Sequence, residues 1–325
     1  MLGQADIESL CAQEGLIAVA CLSPIPERVD ADLDTMLADG VGDMAWLAEH
    51  RELREQPRLL LPEASSLLLT LLPYQRETEA TGLRRARYAA GKDYHKLLRS
   101  KLSRIGKQIG ASRPYRATVD SAPVAERHLA RRAGLGWIGR NALVIRQGIG
   151  SYCFIGGLFT CTPLPAWQGG QARDRCGSCR ACVEVCPTQA LVDGRVLSER
   201  CISYLTIEHA GVIPRDLAAR FKGWWFGCDL CQEVCPWNRF APEAGDPRLR
   251  GDDQEAELLT IQAEQFDQHF AGRPIRRLGY ERFRRNLLVA LWSLGRHQDY
   301  VPILTEGLDL VRAQAAELGI AHPPN

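Results

Sequence analysis

The chain has 325 residues, 46% of them hydrophobic, with 40 Lys and Arg against 39 Asp and Glu for a formal net charge of +1. That is enough apolar material for a sizeable core in two or three domains, while the overall charge argues neither for nor against a nucleic-acid partner. The longest apolar stretch, Leu59 to Leu72, is interrupted by Pro62 and Glu63 and is too short to span a bilayer; no signal peptide is read, and a soluble, cytoplasmic protein with no membrane partner is expected.

Residues 4–14 are expected to be helical, Leu16 to Leu22 a strand, and Leu33 to Glu49 helical apart from Gly40 and Gly42. Leu67 to Leu72 is a continuous apolar run that fits a buried strand. Tyr94, Leu97, Leu98, Leu102, Ile105 and Ile109 recur at helical spacing, predicting an amphipathic helix with Lys96, Arg99, Lys101 and Arg104 on its other face. This helix lies in a basic stretch, Arg84 to Arg116, with eleven Lys or Arg and one acidic residue, Asp93. Such a stretch can neutralise phosphates. It can also be a solvated helix face in an arginine-rich chain, where only five of the forty basic residues are lysine.

Next comes a constellation: Val119-Asp120-Ser121-Ala122-Pro123, Glu126-Arg127, and Ala133 to Asn141. Gly134, Gly136 and Gly139 spell G-x-G-x-x-G, but that fingerprint needs a strand before it and a helix after it. Here helix-like Ala125 to Arg132 precedes and strand-like Asn141 to Arg146 follows, so a dinucleotide turn is not expected. The glycines imply sharp turns or the close approach of a large ligand. Asp120 suits the edge of an active site, where it can donate a proton if burial raises its pKa; it can equally cap a helix over Val124 to Ala133. Helices and strands alternate to about Thr160, a mixed α/β domain.

The linker Pro163 to Arg173 leads to eight cysteines between positions 176 and 235. They read Cys176-x-x-Cys179-x-x-Cys182-x-x-x-Cys186-Pro187, then Cys201, then Cys228-x-x-Cys231-x-x-x-Cys235-Pro236. In two-cluster ferredoxins the Cys-Pro cysteine of each run ligates the other cluster. That rule gives one 4Fe-4S cube to Cys176, Cys179, Cys182 and Cys235, and the other to Cys186, Cys201, Cys228 and Cys231. Zinc sites do not use three such cysteines in succession before a Cys-Pro, and disulfide frameworks belong to small secreted domains. Cys11, Cys21, Cys153 and Cys161 read as small buried hydrophobes. The chain turns polar and acidic from Pro242 to Glu257, and a second basic stretch, Arg273 to Arg285, has six arginines and one glutamate. Phe283, Leu287, Leu288, Leu291 and Leu294 then form one apolar helical stripe, a single HEAT-like unit or a cap on the domain edge.

The expected fold class is α+β. A mixed α/β domain over 1–165 is followed by a ferredoxin-like domain over 166–240 and a short C-terminal helical region over 241–325.

The stretches Gly42 to Leu47, Arg87 to His95, Val119 to Ser121, Ala133 to Asn141 and Gly227 to Asn238 resemble the epoxyqueuosine reductases, in order and over nearly the whole chain. The resemblance implies a cobalamin-dependent enzyme with two 4Fe-4S clusters, related to reductive dehalogenases. Such an enzyme removes the epoxide oxygen of epoxyqueuosine in a tRNA anticodon loop to leave queuosine, taking in two electrons and two protons and releasing water. It implies that Asp120 is the proton donor and that the eight cysteines are the cluster ligands. By motif position, Arg87, Tyr88, Asp120, Gly134, Gly136, Trp137 and Asn141 are the candidate cobalamin contacts. Asp93-x-His95 resembles the start of a D-x-H-x-x-G motif, but Leu98 replaces its glycine, so His95 reads as a structural or pocket residue and not a cobalt ligand. Arg140 stands where the resemblance leads one to expect lysine. The implied partners are the modified tRNA and an external electron donor, with the chain working as a monomer; the competing reading is a cobalamin-dependent reductase of a small molecule.

Overall fold

The structure, a computed structural model, describes residues 2–76, 82–110, 113–167, 172–192, 194–251 and 254–321. Parts of the expected linker, residues 168–171, and of the acidic stretch, residues 252 and 253, lie outside them. The N-terminal part is built on four strands, β1 (Ala18–Leu22), β2 (Ser66–Pro73), β3 (Tyr115–Val119) and β4 (Cys153–Thr160), in the spatial order β1-β2-β4-β3. Each neighbouring pair is antiparallel.

The run in β2 is buried along its whole length, and apolar but for Ser66 and Thr70, because both its faces are covered. Leu68 and Leu72 pack beneath α1 (Gln4–Gln13) and α2 (Tyr94–Ile109). Leu67, Leu69 and Leu71 pack on the opposite side with Ala20 of β1 and Leu129 of α3 (Glu126–Arg132). Helix α2 spans the predicted range, and Asp93 caps it by accepting the His95 N–H at 3.0 Å. Gly156 lets α2 lie close on the sheet: a Cβ there would stand 3.0 Å from Leu102 Cδ1 and 3.1 Å from Thr70 Oγ1. The helix expected over Leu33 to Glu49 ends at Asp39 and resumes only at Trp46, because Gly40 and Gly42 take φ of 91° and 53°. The strand expected over Asn141 to Arg146 shortens to Val144–Ile145, paired with Trp137–Ile138 in a small hairpin.

The cysteine-rich part carries α4 (Ala181–Val185), α5 (Ile202–Ile207) and α6 (Leu230–Glu233). It is joined to the N-terminal part by a short parallel pairing of Arg84–Arg85 with Trp224–Phe226. Helices α7 (Tyr280–Ser293), α8 (His297–Leu304) and α9 (Asp309–Leu318) close the fold. Phe283, Leu287, Leu288 and Leu291 of α7 share one core with Leu205, Trp224, Trp225 and Phe226. Among the described residues no helix is long and apolar enough to cross a membrane.

The two basic stretches are only in part basic surface: Lys96, Arg99, Arg104 and Lys107 of α2 are exposed, but several cations turn inward or are paired. Arg284 and Arg285 are buried; Arg284 pairs with Glu306, and Arg285 donates to the carbonyls of Leu205, His209 and Gly211. In the first stretch Arg84 binds Glu233 at 2.8 Å, Lys101 binds Asp246 at 2.9 Å and Arg104 binds Glu14 at 2.6 Å. Periodicity placed Lys101 on the solvent side of α2, yet it is buried because Asp246 reaches over to meet it.

Candidate active site

Strand β3 ends at Val119, and Asp120 follows with φ of 42°, a left-handed conformation uncommon for a residue with a side chain. The turn is held by the Asp120 N–H, which donates to Glu126 Oε1 at 2.8 Å. Helix α3 starts only at Glu126 with Ala125 before it, so Asp120 does not cap it. The Asp120 carboxylate instead meets the start of α2. The Tyr94 hydroxyl donates to Oδ2, and His95 Nε2 stands 3.3 Å from the same oxygen. On the other side of the imidazole, His95 Nδ1 lies 2.8 Å from Asp93 Oδ1. Tyr94 is fixed by stacking on Phe154 of β4 at 4.0 Å.

This arrangement sorts the protons. Burial disfavours charge on His95, but the hydrogen bonds and charges of Asp120 and Asp93 prevail and push its pKa up to about 9. Burial acts to raise Asp120, as the sequence reading required, but the hydrogen bonds from His95 and Tyr94 outweigh it and hold the carboxyl below its ordinary range. The mobile proton therefore rests on His95, beside an ionised Asp120. Glu126 behaves oppositely: burial, then the charge of Asp120, hold its carboxyl well above the usual range.

Asp120 is 59% exposed, yet it is surrounded by protein, because it opens into a cavity of about 530 Å³. That cavity is lined by Tyr88, Tyr94, Asp120, Glu126 and Asn141 and, from the cysteine-rich part, by Cys186, Cys201, Cys228 and Cys231. Asn141 is 4% exposed, and among the described residues its Nδ2 has no hydrogen-bond partner. A buried amide donor facing an apolar hollow fits a large ligand with polar groups at its edge.

The remaining expected cobalamin contacts do not line the cavity. Arg87 clamps the second cysteine run: its N–H donates to Asp229 Oδ2 at 2.7 Å, and its guanidinium reaches the Tyr152 hydroxyl and Glu233. Gly134, with φ of 76°, closes α3, and Gly136 exists for the hairpin, since a Cβ there would lie 2.4 Å from the Ile145 carbonyl oxygen. Trp137 packs edge-on against Trp237, with centroids 5.0 Å apart. Arg140 donates to the Gly177 carbonyl at 2.9 Å, within the first cysteine run.

The cysteines form two neighbourhoods. Cys182 feels Cys235 and Cys176, and Cys235 feels Cys176 and Cys179. Cys201 feels Cys186, and Cys228 feels Cys201 and Cys231; Cys231 also feels Cys182 across the two groups. The second neighbourhood faces the cavity, whereas Cys179 of the first is exposed. Among the described residues no three His, Cys, Asp or Glu side chains converge as ligands of a single metal ion would; the thiolates of a four-iron cube stand further apart than those. The sequence placed Glu126 in one constellation with Asp120 but missed the joining of Tyr94 and His95 to it, although the Asp93 cap directly before Tyr94-His95 was a signal that the two rings sit at a helix start.

Residues 175–238 match the family model of the 4Fe-4S double cluster binding domain, and residues 54–121 match that of Epoxyqueuosine reductase QueG, DUF1730. An epoxyqueuosine reductase of Xanthomonas campestris pv. campestris is 42% identical over 294 residues, covering 85% of this chain and 82% of the relative. One from Pseudomonas aeruginosa is 42% identical over 311 residues, covering 90% and 85%. A crystal structure of epoxyqueuosine reductase with an epoxyqueuosine-modified tRNA-Tyr stem loop superposes with a TM-score of 0.83 at 26% identity, covering 97% of this chain and 89% of the other.

Proposed function

The chain belongs to the epoxyqueuosine reductase family, and we propose that it reduces epoxyqueuosine in a tRNA anticodon loop to queuosine, taking up two electrons and two protons and releasing water. The observation that carries this reading is one cavity shared by Asp120, with its proton-bearing His95, and by four cysteines of the double-cluster domain. The enzyme uses two 4Fe-4S clusters. We assign Cys176, Cys179, Cys182 and Cys235 to the outer one, where the exposed Cys179 marks the entry for an external electron donor. Cys186, Cys201, Cys228 and Cys231 hold the inner one, beside the cavity.

Cobalamin is the group the cavity would take, with Tyr88 and Asn141 among its contacts; bound there, it supplies a strongly reduced, nucleophilic metal centre. The protein's own residues handle protons and water. When the epoxide ring opens, charge develops on oxygen, and Asp120 passes to it the proton that His95 has held. Tyr94 keeps the carboxylate aimed, and the apolar walls exclude solvent. The chain acts as a monomer in the cytoplasm, divided into units of 1–165, 166–240 and 241–325.

The test is anaerobic. Protein reconstituted with iron, sulfide and cobalamin is given reductant and epoxyqueuosine-containing tRNA, and the nucleosides are weighed by mass spectrometry. A cobalamin-dependent loss of one oxygen is expected. No change, with clusters and cobalamin verified as bound, would favour a small-molecule substrate instead.

A further inference from the structure

Conversion of an epoxide to an alkene consumes two protons, and the Asp120–His95 pair holds one mobile proton. The Tyr94 hydroxyl does not supply the other, because burial and the adjacent Asp120 hold its proton tightly. A second acid is needed within the same cavity.

We propose that Glu126 is that acid, and that its carboxyl proton converts the departing oxygen into water. This rests on the epoxyqueuosine reading above. Glu126 lines the cavity with Asp120. Its Oε1 accepts the Asp120 N–H at 2.8 Å, which fixes the carboxyl and leaves Oε2 to carry the proton. The groups facing it are Asp120, whose charge favours the protonated form, and His95 and Arg54, whose charges oppose it; burial and Asp120 prevail. Two neighbouring carboxyls held in opposite protonation states are the arrangement that lets one site use two acids in turn.

The step balances. Two electrons delivered by the reduced cofactor enter at one epoxide carbon as its C–O bond breaks with the bonding pair going to oxygen, and the proton from the Asp120–His95 pair makes a hydroxyl. The pair gained by that carbon then becomes the carbon–carbon π bond as the second C–O bond breaks. The oxygen leaves with its bonding pair, takes the Glu126 proton and departs as water. Glu126 is left as a carboxylate beside Asp120, a repulsion that favours its reprotonation from solvent.

Glu126 could instead serve only to anchor the Asp120 turn, and Glu126→Gln separates the two roles, since the amide oxygen still accepts the Asp120 N–H but carries no acid proton. The reconstituted holoenzyme of this variant should keep its cluster and cobalamin spectra and its KM for tRNA while kcat falls by roughly 10²- to 10⁴-fold, the usual contribution of a positioned acid. Its residual rate should lack the decline seen in wild type as pH rises through the ionisation of Glu126. Difference infrared spectroscopy at neutral pH should show a protonated-carboxyl band in wild type that the variant lacks. Wild-type kcat and pH profile in the Gln variant, or an ionised Glu126 in the infrared spectrum, would overturn the proposal while leaving the reaction in place. An inert wild type with both cofactors bound would overturn the parent reading and this role with it.

Discussion

Among single residues, Asp120 and His95 share the decisive proton. Asp120→Asn should retain cluster and cobalamin spectra and lose turnover by at least about 10²-fold, because an amide cannot pass on what His95 holds. His95 gives the site a pH dependence whose sign is fixed by its raised pKa. The stability it contributes is fully present below its ordinary 6.5 and is lost as pH rises through about 9. Turnover should fall over the upper part of that window, and His95→Gln should flatten melting temperature against pH across it. Asp120 was legible in the sequence because it stands in a motif at the end of a strand. Its partners were not, because periodicity places Tyr94 and His95 on a helix without saying what the helix start faces. Arg87 shows the same limit of a sequence reading: a motif arginine can bind a ligand or its own chain, and here it meets Asp229 and Tyr152.

Secondary-structure elements tell a different story, because glycines and buried arginines decide how they dock. In the resemblance motif around Arg87 to His95, Gly91 abuts the chain at Arg248, with a Cβ falling 2.2 Å from that carbonyl oxygen. Backbone cannot yield as a side-chain tip can, so Gly91→Ala should destabilise the fold by about 1–3 kcal/mol, measured by chemical denaturation of the holoprotein. Arg284 on α7 is buried at 1% exposure against Glu306. Glu306→Ala should cost about 3–5 kcal/mol by stranding that cation, while a conserving Glu306→Asp should cost less. Helices α2 and α7 and strand β2 were legible from apolar spacing, whereas the short helices α4 to α6 were too brief to show a period. The antiparallel order was not, since β1, β2, β3 and β4 are joined by long connections that carry no turn signature. The six arginines of 273–285 were equally opaque, as charge alone does not distinguish a solvent-facing guanidinium from one that satisfies buried carbonyls.

Seen as a whole, the molecule offers tRNA fewer cations than its composition suggested. Lys92 and Arg277 are among those that remain exposed, and their segments adjoin through Asp93 N–H to the Gly272 carbonyl at 2.7 Å; Arg277, which meets Glu208 at 3.3 Å, also lines the cavity. Lys92→Glu with Arg277→Glu should raise KM for tRNA and reduce the salt dependence of binding by roughly one unit of log–log slope per lost phosphate contact, with cluster spectra unchanged. The parallel pairing of Arg84–Arg85 with Trp224–Phe226 has a further consequence. A ribosome delivers the first of these strands about 140 residues before the second, so the early strand waits for its mate while roughly two-fifths of the chain is made. The cavity cannot exist in the nascent chain until that late segment arrives, and the same segment leads directly into Cys228 and Cys231. One late segment thus supplies both a wall of the reaction chamber and the cysteines beside it, so neither is complete before the other.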